Sequence, residues 1–401
     1  MLPFEPRPYL LANKIQHYAW GSKGKEAFIP QFLGIEAEKD QPFAELWIGA
    51  HPRAPSDVIL DGGCVSLPQL VSQYPQEILG GRVATRFSGA FPFLFKVLSA
   101  AEALSIQAHP NKEQARLLHQ EDPLHYPDDN HKPEVAVALD SLTALMGFKS
   151  LPEIRQNLAK YPELADLIGR VDDSSHLEQP GVLQTIFSKL MRRAATHKKE
   201  LVFSIERLAG RLVEARETLT EEEQLFLDLR IKYPEDAGLY AVFLLNLIHL
   251  ERGQGVFIGP GIPHAYLKGN IVECMATSDN VVRAGLTRKF KDVETLVEIL
   301  TYDTRPIPVL EEHPGAARVV YQTPVPEFQV SRWALKPGQE SVETPPDTPQ
   351  VLLVVQGNVR IGWGTVGQTF QQGQSILIPA CLKTYKLSST GPAELFTAQV
   401  P

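Results

Sequence analysis

Three separated segments of this chain each carry polar groups able to bind a metal at the edge of an apolar run. In LSIQAH (104–109), strand alternation sets Leu104, Ile106 and Ala108 on one face. Ser105, Gln107 and His109 fall on the other. Glu134 opens the apolar run EVAVAL (134–139), directly after Asn130, His131, Lys132 and Pro133. His264 follows a Gly/Pro turn (259–263) that closes the short apolar stretch 255–258. Singly, each group reads as an ordinary solvated side chain. Together, Gln107, His109, Glu134 and His264 offer two imidazoles, a carboxylate and an amide oxygen, a set suited to a borderline divalent cation, with zinc the leading choice. One carboxylate among neutral ligands leaves a bound site at a formal charge of about +1, which suits Lewis-acid work on an oxyanion better than redox chemistry. A fourth segment, 273–289, gathers Arg283, Arg288 and Lys289. A guanidinium fork and an ammonium would hold a phosphate dianion, unless the three are a surface salt-bridge cluster.

Composition frames what such a site serves. The chain has 401 residues, with 39 Lys+Arg against 47 Asp+Glu, a net charge of −8. That balance argues against a nucleic-acid partner, and an anionic ligand would have to enter a locally cationic pocket. With 43% hydrophobic and 21% charged residues the chain is not generally disordered. Cys64, Cys274 and Cys381 lie far apart, which fits a reducing cytoplasm rather than a disulfide framework. The first residues lack the features of a signal peptide, and the apolar run 237–245 is too short to span a bilayer. The expectation is a cytoplasmic protein with a small-molecule ligand, a monomer with no membrane or nucleic-acid partner.

The elements that must position these groups change texture along the chain. Residues 1–148 read as short strands broken by Gly and Pro, including 91–98, 104–109 and 134–139. From Ser150 the period becomes helical: Ser150 with Glu153 and Thr220 with Glu223 are capping boxes, and Leu183, Ile186, Phe187, Leu190 and Met191 form an amphipathic stripe. The acidic run 221–223 reads as a first helical turn favoured by the dipole. Strand texture resumes at Gly255, a helix is expected after an Asp292 N-cap, and Gly357-Asn358 offers a hairpin turn. The resulting expectation is a mainly β fold with an α insertion, two jelly-roll units plus a helical domain. Residues 1–148 and 236–315 form a split metal-binding domain, 149–235 the helical insertion and 316–401 a second β-domain. In that last unit Ala380-Cys381 stand where a metal-binding turn would place a His, so it is expected to be metal-free.

The motifs YAWG (18–21), AELWIGAHP (44–52), PFLFK (92–96), LSIQAHPNK (104–112), DDNHKPEVAVAL (128–139), PHAYLKG (263–269) and ECMATSDNVVRAGLTRK (273–289) resemble, in order, those of type I mannose-6-phosphate isomerases, a cupin-like zinc family. The resemblance implies a zinc enzyme interconverting mannose 6-phosphate and fructose 6-phosphate, with one zinc on Gln107, His109, Glu134 and His264. It implies Arg283 as an active-site residue, with Lys132, Glu273 and Lys289 nearby. The family usually has Pro where this chain has Arg288, which adds a cation and removes a rigid ring.

Aldose–ketose isomerisation through a cis-enediol needs a base near C1 and C2, an electrophile and a phosphate anchor. Glu273 is favoured as base because a shielded carboxylate can have a raised pKa; His131 and Lys132 compete for the role. Arg283 would stabilise developing negative charge, and Lys289, with Arg288 or Ser105, the phosphate. Trp20 would line the sugar pocket and Lys96 point into it. His17, His51, His119 and His125 read as structural or surface groups. The rival readings are a non-catalytic sugar-phosphate binder and a cupin-type iron oxygenase.

Overall fold

The computed structural model describes residues 4–169, 179–215, 218–311, 315–345 and 347–401. Among these residues the chain is mainly β with several helices, and two large sheets dominate. The ten-stranded sheet holds the strands Glu45–Gly49, Phe93–Ala100, Ile106–Ala108, Glu134–Phe148, Gly255–Ile258, His264–Ala276 and Val282–Gly285. Every segment expected to carry chemistry is in it or at its edge.

Alternation decides which face of that sheet packs. Leu46, Ile48, Phe93, Phe95, Val97, Val135, Val137, Val272 and Cys274 point one way and are buried. They meet Val319, Tyr321, Phe328, Val330, Val351, Leu353 and Phe396 of the eight-stranded sheet in one shared apolar core. The opposite face carries Glu45, Trp47, Lys96, Glu134 and Glu273. Burying one face of each strand so completely fixes the register, because a one-residue slip would exchange the two sets.

The helical block forms as its periodicity indicates. Helices Leu151–Lys160 and Glu221–Lys232 start at capping boxes from Ser150 and Thr220. Asp292 caps Val293–Ile299 by accepting from the Thr295 N–H. The stripe Leu183, Ile186, Phe187, Leu190 and Met191 on Gln179–Thr196 is buried. This helical core also takes in Ile106, Ala108, Val282 and Ala284, so the helices buttress the reverse side of the Gln107 strand.

Two features depart from the expectations. The strands Gln350–Gln356 and Asn358–Trp363 do not pair with each other, so Gly357-Asn358 is not a hairpin turn. Gly357 (φ +71°) instead carries the chain from the eight-stranded sheet to a four-stranded one, and a Cβ there would lie 2.5 Å from the Pro392 carbonyl oxygen. The hairpin falls one strand later, where Asn358–Trp363 pairs with Val366–Gln371. The boundary drawn at 316 is also crossed: Tyr9–Ala12 lies between Ser375–Ile378 and Asp57–Leu60, so early strands complete the sheet of the C-terminal residues. Strand partners are chosen by burial across the whole chain, which a local pattern does not encode.

An ion cluster pins the layers together. Glu394 accepts from Arg332 at 2.9 and 3.0 Å and from Arg252 at 2.9 Å, while Arg252 also donates to the Leu139 carbonyl. Burial acts to raise the Glu394 carboxyl, and the two guanidiniums outweigh it and hold it below its ordinary value. Replacing Glu394 by Ala leaves the half-buried Arg332 without this carboxylate and should cost about 2–3 kcal/mol at neutral pH. A depressed folded-state pKa gives stability that is present above the unfolded value and lost as pH falls below about 4.3. Urea titrations should therefore show the gap between wild type and variant shrinking in acid; an undiminished gap would rule out the ion cluster as its source.

Candidate active site

The first groups to meet are His109, Glu134 and His264, all buried, with ligand atoms within 4.8 Å of one another. His109 Nε2 lies 3.4 Å from Glu134 Oε1, and His264 Nε2 lies 3.4 Å from Glu134 Oε2. Gln107 joins them, its amide nitrogen 3.4 Å from His264 Nε2 and its oxygen accepting from Ser105 Oγ at 3.3 Å. Backbone pairing explains the convergence, since Gln107 stands opposite both His264 and Arg283.

Both imidazoles are oriented by the other nitrogen. His109 Nδ1 donates to the Asn280 carbonyl at 2.8 Å and His264 Nδ1 to the Ile262 carbonyl at 3.0 Å, which leaves each Nε2 with a free lone pair. The Asn280 carbonyl is itself fixed, because Asn280 Nδ2 donates to the carbonyls of Asp128 (2.6 Å) and Asn130 (2.9 Å). Behind His264, Gly261 (φ +72°) allows the turn; a Cβ there would sit 2.5 Å from the Ile299 carbonyl oxygen. Burial pushes His109 down to about 4, so it is neutral near pH 7 as a ligand must be. Burial opposes ionisation of Glu134, but Lys132, 3.2 Å away, and His109 hold it well below its ordinary value.

The donor set fits a zinc ion. His109 Nε2 and Glu134 Oε2 are buried without a hydrogen-bond partner, a costly arrangement for two polar atoms that point into one space unless a cation fills it.

Beside this centre lies a row of directly opposed residues: Ala136, Glu273, Lys96 and Trp47. Lys96 Nζ donates to Glu273 Oε2 at 3.0 Å and lies 3.6 Å from Glu45 Oε2. Tyr266 OH donates to Glu273 Oε1 at 3.0 Å, and the Trp47 indole N–H donates to Glu45. Burial pushes the Glu273 carboxyl up; the Lys96 charge counters it and that of Glu134 adds to it. For Lys96, burial is outweighed by Glu45 and Glu273, and the ammonium is held more firmly than usual.

The cationic side is built from Arg283 and Lys289. Burial lowers Arg283 from its ordinary value, and among the described residues no carboxylate lies within ion-pair distance of it. Lys289 is exposed and lowered by partial burial and by the nearby charges of Arg283 and Arg53. Its Nζ stands 5.8 Å from the Tyr18 ring, which stacks on Trp20 at 5.8 Å, so these three form one wall. Arg288 is exposed beside Lys289.

The family model for the phosphomannose isomerase type I catalytic domain matches residues 9–151, and that for its helical insertion domain matches 154–245. Mannose-6-phosphate isomerase of Homo sapiens is 40% identical over 383 residues, covering 88% of each chain. This chain belongs to the type I phosphomannose isomerase family. A crystal structure of a substitution variant of phosphomannose isomerase from Salmonella typhimurium superimposes with a TM-score of 0.87 at 31% identity, covering 98% of this chain and 99% of that one. A zinc-bound mannose 6-phosphate isomerase structure does so with the same score, identity and coverage.

Two of the expected site residues are engaged by other partners in the structure. His131 is not brought to the metal side: its Nε2 lies 2.8 Å from Glu327 Oε1, beneath the sheet with the C-terminal residues. Residues 131 and 135 share one side of an extended segment and 132 and 134 the other, which is why neighbouring residues diverge. Lys96 reaches the cavity side but its ammonium is taken up by two carboxylates. His17, His119 and His125 bond the Pro42 carbonyl, the Tyr126 carbonyl and Asp122, and His51 packs edge-on against Trp47 at 4.6 Å. No sequence feature singled out Glu45, Tyr266 or Asn280, although in ELWIG Glu45 and Trp47 alternate with apolar Leu46 and Ile48.

Proposed function

We propose that the chain interconverts mannose 6-phosphate and fructose 6-phosphate through a cis-enediol, using one zinc held by Gln107, His109, Glu134 and His264. The observation that carries this reading is the buried His109–Glu134–His264 cluster with its two unpartnered atoms, in a chain of this family. Bound zinc supplies Lewis-acid polarisation of the sugar oxygens. Glu273 takes the proton from C2 of the aldose and returns it to C1 for the ketose, while the hydroxyl proton of O2 passes to O1. Its raised pKa keeps a carboxylate basic enough for the task, and its two hydrogen bonds fix its direction. Lys132 is the weaker candidate for base because its ammonium is engaged with Glu134. Arg283 opposes the charge that develops on the enediol oxygens. Lys289, with Arg288, holds the phosphate, and Trp20 lines the sugar pocket.

The architecture is read as two cupin-like jelly rolls with a helical insertion. Residues 1–148 with 236–315 form the metal-binding unit, 149–235 the insertion and 316–401 the second roll, to whose sheet the first strands are lent. Unpaired cysteines at 64, 274 and 381 support work in a reducing cytoplasm. Among the described residues no helix is long and apolar enough to cross a membrane. Nothing favours a non-catalytic binder, which would not require Glu273 and Arg283 together.

A coupled assay tests the reading. Zinc-loaded protein given mannose 6-phosphate should form fructose 6-phosphate with a kcat of about 1–10³ per second. Absence of turnover by protein that holds one zinc per chain would refute it.

A further inference from the structure

Glu45 has no part in the reaction proposed above, yet it is buried (7% exposed) within a cluster whose other members, Lys96 (5%) and Glu273 (2%), are equally secluded. One ammonium there serves two carboxylates, 3.0 Å from Glu273 and 3.6 Å from Glu45, so the trio carries a net charge of −1 away from water. The oxygen of Glu45 nearest Lys96 also accepts the Trp47 indole N–H, and Trp47 stands directly opposite Lys96 in the sheet. Glu45 is therefore locked in place from its own strand. Lys96 Nζ additionally lies 5.5 Å from the Trp47 ring centroid, which limits where the ammonium can go.

We propose that Glu45 is a positioning residue that acts through Lys96 to set the orientation and proton affinity of Glu273. Glu45 draws Lys96 partly away from Glu273, and its negative charge repels that of Glu273. Both effects make Glu273 a stronger base than Lys96 alone would leave it. The remaining charged or titratable groups facing Glu273 are Lys132 and Glu134 from the neighbouring strand and the segment before it, and Tyr266 on its own strand. Glu45 differs from those groups in lying apart from the metal ligands, so it can be altered without disturbing them. The inference rests on the reading of Glu273 as the base.

The test is Glu45→Gln, which keeps an oxygen for the Trp47 N–H and removes the charge. Lys96 then belongs wholly to Glu273, and one repulsive charge is gone, so Glu273 should lose its proton at lower pH. The acidic limb of the kcat profile should move down by about one pH unit. The plateau should fall several-fold as the base weakens, with KM within about twofold of wild type. Zinc content is to be measured at each pH and should stay at one per chain. Glu45→Asp, which keeps the charge but withdraws it from Lys96, should give a smaller shift in the same direction.

An unmoved acidic limb in zinc-replete Glu45→Gln overturns the proposal. So does a change confined to KM, or failure of both variants to fold, since Glu45 would then act on binding or on the fold alone. Glu273→Gln separates the two levels of inference. If it retains turnover, Glu273 is not the base and the underlying reading fails. If it is inactive while the Glu45→Gln limb stays in place, only the role of Glu45 fails.

Discussion

Replacing His264 by alanine should strip the metal from the protein and take turnover with it. His264 is the first residue of the strand His264–Ala276, is 1% exposed, and has its ring turned by the Ile262 carbonyl so that Nε2 faces Glu134. Losing a partner one step outside the metal typically costs about 10–100-fold in affinity or activity, so losing a ligand should exceed that range. The fold should survive, because the shared core between the sheets does not include this residue. After dialysis, metal analysis should find well under one zinc per chain, and kcat should fall by more than about 100-fold. Wild type treated with chelator should behave alike and recover on adding zinc. A His264→Ala protein that keeps zinc and full turnover would dismiss the metal centre as drawn.

Replacing Arg283 by alanine should separate catalysis from metal binding. The strand Val282–Gly285 sets Arg283 opposite Gln107, beside the ligands but not among them. No carboxylate among the described residues neutralises its guanidinium, which stays charged although burial lowers its pKa. Such a cation is available for a charge that appears only as the reaction proceeds. Loss of one preorganised group of this kind costs about 10²–10³ in kcat, equal to about 2.7–4 kcal/mol. The variant should keep one zinc per chain and a KM close to wild type, while Arg283→Lys should restore part of kcat through its point charge. An unchanged kcat in Arg283→Ala would remove the residue from the chemistry.

Ligand chemistry is legible in a bare sequence because few side chains bind a borderline cation, and strand alternation puts Gln107 and His109 on one face. Helix starts are equally legible, since the Ser150–Glu153 and Thr220–Glu223 boxes are made within four residues. The positions that local pattern left open all depend on distant partners. Glu45, Lys96 and Glu273 meet because three strands align in one register, set by the opposite, apolar face. By sequence His131 competes for the role of base; in the fold its partner is Glu327, nearly two hundred residues away in the chain.

The sequence by itself determined the ligand types, the amphipathic helices and the faces of the strands, because each follows from side-chain chemistry and a period of 2 or 3.6 residues. Only the tertiary structure decided which strands pair, that Tyr9–Ala12 completes a sheet with Ser375–Ile378, and which carboxylate Lys96 serves. Those choices minimise exposed apolar surface and unpaired charge over the whole chain, so no local segment contains them.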